Sequence, residues 1–468
     1  MTQLVRKLFS TSAMVKPDNR LGEIPPTKLA YKTAMLLSAP AVAEMVLIAL
    51  IGMMDTVMVG GLGSYAIAAV GITGQPRMLF MSLFFALNIG VTAIVSRRKG
   101  AGEQKDANLC LMQSLMLTGA MSVIMAVPAF LLSAPLMRLA GAKADTIGAA
   151  TVYFQIVSLS LPIQAITTAI SSAQRGVGNT KIALYINLSA NVVNVIFNFL
   201  LIEGRFGFPR LEVAGASLAT SIGGAVGLLI AILSISRKKN YLSFRQMPRW
   251  RPDWPMLKLI SKIGGNAMFE QVCLRVGFFL YARIVADLGT FQLAAHQISM
   301  QMLNLTFTIG DGLSVASTAL VGQNLGKKRP DLSLMYGKIG QRLAFVASAV
   351  MIGVILLVRV PFAGFFTNEL ALVQLSSGIL ILCAIIQPLQ TSQVVMGGSL
   401  RGAGDTRYVA MTMLITVAVC RPIISMLFIH VFHMGLAGAW WAIFLDQIIR
   451  LVMLYTRFSR GRWMRIAF

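Results

Sequence analysis

Carboxylates are scarce in this chain. Its 468 residues hold 17 Asp and Glu against 41 Lys and Arg, and charged residues of either sign make up only 12%. A soluble domain carries roughly 25% charged residues, so an ordinary water-soluble globule is excluded. Histidine is rarer still. Of His296, His430 and His433, only His296 sits in a distinctive setting, an Ala-Ala-His-Gln segment, and its simplest reading is local packing. The four cysteines, Cys110, Cys273, Cys383 and Cys420, all fall inside apolar runs. That pattern gives neither a disulfide framework nor metal-ligand spacing. No His-Glu-x-x-His occurs. The stretch Gly322 to Lys328 (GQNLGKK) lacks both the four-residue gap between glycines and the Ser or Thr after Lys that a phosphate loop needs. No catalytic residue and no metal site emerge.

What the chain has in abundance is apolar surface. Hydrophobic residues make up 56% and mean hydropathy is +0.73. Apolar runs of about 20 residues, enough to cross a bilayer as a helix, recur from end to end. They predict twelve spans: 33–58, 66–95, 109–133, 148–171, 181–202, 213–236, 258–285, 292–321, 340–360, 371–398, 408–430 and 435–456. The net charge of +24 could point to nucleic acid, but its placement argues otherwise. Thirty of the Lys and Arg fall in the tails and even-numbered junctions, and only Arg138, Lys143, Arg205, Arg210 and Arg359 in the odd-numbered ones. That split is the positive-inside signature and predicts both termini in the cytosol. The first thirty residues have no apolar signal-peptide core and read as a cytosolic tail.

The chain repeats itself at an offset of 226 residues. Glu44 matches Glu270, Pro162 matches Pro388, Gln164 matches Gln390, and the junction RGVGNTK (Arg175 to Lys181) matches RGAGDTR (Arg401 to Arg407). Each half holds six spans, so the halves keep one orientation and relate by a pseudo-two-fold along the membrane normal. The expected organisation is a tail at 1–32, a first lobe at 33–236, a basic cytosolic linker at 237–257, a second lobe at 258–456 and a tail at 457–468. A repeated pair of lobes with a cleft between them is the architecture of alternating access.

The scarce acids now carry weight. The run Pro40 to Gly60 holds Glu44 and Asp55 and no basic residue. They lie eleven positions apart, three helical turns, so they share a face. A carboxylate in hydrocarbon is costly and marks a functional site. For Asp55 the alternative is a helix-end cap near Gly60 and Gly61. For Glu44 and Glu270 it is a hydrogen-bonded core carboxylate. Asn191, Asn194 and Asn198 follow at helical spacing on the fifth span, and could offer oxygens to a cation beside Asp55 or bond between helices. Asp446 and Arg450 are four apart and expected to pair. Arg275, Arg283, Asp311 and Arg421 are read as members of further ion pairs in the second lobe, or as residues of which some line the cleft.

The sequence MMDTVMVGGLG at Asp55, the half-chain repeat, the RGxGNT and RGxGDT junctions and LAAHQISMQ (Leu293 to Gln301) together resemble the multidrug and toxic compound extrusion (MATE) transporters. The resemblance implies an antiporter that exports organic cations and drug-like compounds, driven by a proton or sodium ion. It carries the family's first-span acid onto Asp55 and its seventh-span acid onto Glu270. The tenth-span acid of the NorM-like branch is Gln390 here. The N-x-x-x-D of the archaeal DinF-like branch is Asn194-x-x-x-Asn198. The chain thus fits neither acidic set completely. Ion coupling is expected at Asp55, Glu270 and Glu44, with Asn191, Asn194, Asn198, Gln164 and Gln390 as neighbours. The expected partners are small organic cations and the lipid bilayer, with no nucleic acid and no cofactor beyond the coupling ion. A monomer in the cytoplasmic (inner) membrane is expected. The rivals are a lipid-linked precursor flippase, which would want a more cationic cavity, and a membrane-embedded enzyme, for which no nucleophile–base constellation converges.

Overall fold

The computed structural model describes residues 9–237, 240–246 and 250–466. Parts of the expected tails (1–8 and 467–468) and linker (238–239 and 247–249) lie outside the described residues. No strand occurs among those described. Among the described residues, ten helices are long and apolar enough to span a membrane. An eleventh span is a pair bent by 47°, Ile147–Leu159 and Leu161–Gly176. The remaining long helix, Trp254–Ala286, carries Lys258, Lys262, Glu270, Arg275 and Arg283, and these charges lower its hydropathy.

The chain packs as two compact units, Ala43–Gly265 and Met1–Val42 with Asn266–Phe468. The unit Ala43–Gly265 holds the second half of α1 (Thr27–Gly60), then α2 (Ser64–Ala101), α3 (Gln104–Leu131), α4 (Ser133–Leu139), α5 (Ile147–Leu159), α6 (Leu161–Gly176), α7 (Thr180–Leu201) and α8 (Glu212–Ser236). The other unit holds the start of α1, most of α9 (Trp254–Ala286), then α10 (Thr290–Gly326), α11 (Pro330–Phe366), α12 (Leu370–Gly402), α13 (Thr406–Met413), α14 (Arg421–Met426) and α15 (Gly435–Ser459). The start of α1 belongs there because Ala30 and Ala34 pack with Leu320, Met335 and Ile339. At Val42 the backbone also comes so close to Gly312 that a Cβ on the glycine would lie 2.5 Å from the Val42 Cα. Between α13 and α14, and again after α14, the span Thr406–Val431 widens into π-helical turns at Leu414–Cys420 and Leu427–Val431. Such turns are rare and concentrate at functional sites.

The 226-residue repeat is built into the contacts. Thr92 Oγ1 donates to the Ser172 carbonyl at 3.0 Å, and Thr318 Oγ1 donates to the Gly398 carbonyl at 2.8 Å. Gly178 and Gly404, the second glycines of the two RGxG motifs, both sit at φ +86° in the left-handed region, where a side chain is strained. The halves diverge at proline. Leu161-Pro162 opens α6 after the bend, where a proline's missing N–H costs nothing, whereas Pro388 lies inside the unbroken α12.

Candidate functional site

Asp55 sits half-buried near the end of α1, and two amides from α7 converge on it. Asn198 Nδ2 donates to Asp55 Oδ1 at 2.7 Å. Asn194, in the amide orientation that satisfies both of its ends, donates to the same oxygen at 2.8 Å, and its own oxygen accepts from the Thr220 hydroxyl (3.2 Å) and backbone N–H (3.1 Å). The four-residue spacing on one helix face is what lets both reach a single carboxylate. Arg77, one residue after Pro76 in α2, acts electrostatically on Asp55 and interacts with Tyr153. Its guanidinium approaches Gln164 Oε1 at 3.5 Å, and Gln164 Nε2 donates to Ser160 Oγ at 3.0 Å. The result is a carboxylate ringed by donors inside one unit. The Asn191 side chain, on the same helix, makes no hydrogen bond among the described residues.

Glu44 belongs to a different cluster in the same unit. It is fully buried, pairs with Arg175, and accepts from Asn187 Nδ2 at 2.6 Å. In the other unit Glu270, equally buried, pairs with Arg401 through two nitrogens, Nη2 to Oε1 and Nε to Oε2 (3.3 Å). Both arginines come from the RGxG junctions, and both lie 131 residues after their glutamate. Asp311 in α10, whose repeat counterpart is Phe85, lies within electrostatic range of Arg401 and Glu270. It forms no direct salt bridge among the described residues, unlike the ion-pair role expected for it. Gln390 Nε2 donates to the Leu303 carbonyl at 3.3 Å, so its amide serves helix packing.

Deeper in that unit, Asp446 bridges Arg421 (2.5 Å) and Arg450 (2.7 Å). The Asp446–Arg450 pair follows from i,i+4 spacing, and Arg421, between the two π-helical turns, adds the second arginine. Arg283 pairs with Asp287 on the surface. The His296 ring packs edge-on against Tyr281 and Trp440. No group of three His, Cys, Asp or Glu able to hold a metal occurs among the described residues.

Sequence reasoning missed Arg175, Arg401, Asn187 and Arg77 as site members. The two junction arginines were counted as loop charges, although the duplicated interval from glutamate to RGxG was readable. The convergence of Arg77 on Asp55 has no signal in spacing, because it depends on how α2 packs.

Many apolar spans around a few buried, arginine- or amide-bonded carboxylates define a helical membrane transporter. The MatE family pattern matches residues 40–200 and 267–427, and the chain belongs to that family. It is 26% identical over 465 residues to the uncharacterized transporter YisQ of Bacillus subtilis, covering 98% of each chain. It is 25% identical to a probable multidrug resistance protein NorM of Thermotoga maritima, covering 92% and 93%. It is also 25% identical to the multidrug resistance protein PmpM of Pseudomonas aeruginosa, covering 82% and 80%. Among solved structures, an outward-facing multidrug resistance MATE family transporter matches with a TM-score of 0.85 at 20% identity, covering 92% of this chain and 97% of that one. A MATE protein in the bent conformation matches with a TM-score of 0.83 at 21% identity, covering 92% and 95%.

Proposed function

We propose that this chain is a cation-coupled antiporter that exports organic cations and drug-like compounds from the cytosol by alternating access, with Asp55 as its coupling residue. The observation that carries this reading is the amide-ringed carboxylate in a membrane helix. Asp55 has no arginine in direct contact among the described residues, so its charge remains free to respond to a cation. Glu44 and Glu270 are neutralised by bonded arginines and serve as the frame of each half. The coupling ion is a proton or sodium. Gln390, standing in place of the tenth-span acid, supports the proton over sodium. The names of the NorM and PmpM relatives support the drug-like substrate class. The protein resides in the cytoplasmic membrane as a monomer with both termini in the cytosol, in line with the 30-to-5 charge split.

The test is ethidium efflux from proteoliposomes under an imposed proton gradient or an imposed sodium gradient. Efflux under either gradient that vanishes in Asp55→Asn supports the reading. Undiminished efflux in that variant sinks it, and absence of efflux under both gradients removes the antiporter.

A further inference from the structure

Beside α11, away from every carboxylate described above, a cavity of about 390 Å³ is lined by Phe9, Met14, Lys338, Gln341, Arg342 and Tyr455, among others. Three observations give it a chemistry. First, it is cationic and uncompensated. Lys338 and Arg342 are four apart on one face of α11; Lys16 also acts on Lys338, and the groups that act on Arg342 are the phenols of Tyr31 and Tyr455. Among the described residues neither forms a salt bridge with a carboxylate. Second, donors are left over. Arg342 Nη1 and the Tyr31 hydroxyl are buried with no hydrogen-bond partner among the described residues. Lys338 Nζ spends one of its three hydrogens on the Met14 carbonyl at 2.7 Å. A buried donor without an acceptor is costly, and two like charges on one helix face repel. Third, the cavity lies beside the start of the apolar stretch of α11. Lys338 and Arg342 immediately precede the long apolar stretch of α11 that starts at Leu343, and Tyr455 lies near the end of α15. Phe345 and Tyr455, both lining the cavity, are 46% and 41% exposed.

A doubly cationic pocket with spare donors, beside the start of an apolar stretch and with exposed aromatic side chains, fits a phosphate whose attached chains lie in the bilayer. We propose that this pocket binds the phosphate headgroup of an anionic phospholipid of the cytoplasmic leaflet. The Arg342 fork and the Lys338 ammonium share the phosphate oxygens, as charge-assisted donors do, and Phe345 lies along the acyl chains. Basic pockets on the cytoplasmic side of membrane proteins attract such lipids. The repeat underlines the point: the counterparts of Lys338 and Arg342 are Met112 and Met116, so the shared helical frame does not require the charges. The N-terminal segment is part of the site. Met14 and Val15 are buried against Leu320, Met335 and Ile339, the Arg329 Nη2 donates to the Glu23 carbonyl at 3.0 Å, and the Leu21 N–H donates to Asp331 at 3.2 Å. Bound lipid would therefore fasten this segment to α11.

The purified full chain is titrated with dioleoylphosphatidylglycerol, with dioleoylphosphatidylcholine, or with inorganic phosphate, and retained lipid is counted by native mass spectrometry. Phosphatidylglycerol retained at least about tenfold better than phosphatidylcholine is the expected result, a difference of about 1.4 kcal/mol. The variant Lys338→Gln/Arg342→Gln should lose that preference. Gln341→Glu removes no contact of the pocket and sets a carboxylate in it, so it should lose the preference too, and it decides the matter if the double variant does not fold. Equal retention of the two lipids by the parent overturns the proposal, as does an unchanged preference in folded Gln341→Glu. Displacement of phosphatidylglycerol by millimolar inorganic phosphate makes the occupant a free phosphate and overturns the lipid assignment.

Discussion

Arg401 clasps Glu270 across 131 residues of chain, and Arg175 clasps Glu44 across the same interval. Each half of the protein thus buries one guanidinium–carboxylate pair that ties the end of its fourth or tenth span to the first or seventh. The pairs differ in their third partner. Glu44 also holds Asn187, whereas the 226-residue counterpart of Asn187 is Met413 and Glu270 instead takes a second nitrogen of Arg401. Asp55 has amides where these two have arginines. On the function proposed above, that contrast sets Asp55 apart as the coupling residue and leaves Glu44 and Glu270 to hold helices.

Breaking a buried pair by removing one member leaves an uncompensated charge and costs about 3–5 kcal/mol. Arg401→Gln should therefore lower the thermal stability of the purified protein sharply or abolish its recovery from membranes. Arg401→Gln combined with Glu270→Gln removes both charges and should regain most of the loss. Fluorescence-detected size exclusion after graded heating measures both, and a double variant no better than the single would show that the pair's role is not electrostatic.

The RGxG junctions make a second demand on stability. A Cβ on Gly402 would lie 2.3 Å from the Thr318 carbonyl oxygen, and one on Gly176 would lie 2.9 Å from the Thr92 carbonyl oxygen. Both carbonyls belong to helix backbone and cannot swing aside. Overpacking of this kind costs about 1–3 kcal/mol. Gly402→Ala should destabilise more than Gly176→Ala, and the order of the two melting temperatures tests it.

The membrane class, the repeat and the order of the spans were legible because they rest on composition and periodicity, which survive any detail of packing. The Asn194 and Asn198 pair beside Asp55 was legible for the same reason, since i,i+4 spacing places both amides on one face. Arg175 and Arg401 were misread as loop charges, since a count of basic residues near helix ends cannot tell which fold back over the preceding turn. Arg401 does so: its guanidinium lies 3.9 Å from where a Cβ on Gly397 would be. Glu44 and Asp55 share a helix face as predicted, yet their partners come from different parts of α7 and α6, so one face serves two separate clusters. Only the packing of those helices could reveal that.

Orientation is open to a direct check. With most Lys and Arg on one side of the spans, reporter fusions after Arg245 and after Arg460 should both report the cytosol. A fusion near Arg138, one of the five basic residues in odd-numbered junctions, should report the opposite side.

The sharpest expectation concerns Asp55 itself. Asp55→Asn keeps volume and leaves Asn198 and Asn194 an oxygen to donate to, so the protein should fold and reach the membrane. It loses only the charge that a cation can neutralise. Gradient-driven ethidium efflux should fall to background, while ethidium binding measured without a gradient persists. Asn198→Ala acts on the same carboxylate by removing the 2.7 Å donor. A hydrogen bond to a charged group is worth about 1.5–3 kcal/mol, so efflux should drop by roughly tenfold or more without loss of folded protein. Asn191→Ala, on the same helix but with a side chain bonded to none of the described residues, is the control and should transport normally. If Asn191→Ala and Asn198→Ala lose efflux equally, the amides act through helix packing and not through Asp55. If Asp55→Asn fails to fold, the carboxylate is structural and coupling must be sought at Asp311, the other intramembrane acid without a directly bonded arginine among the described residues.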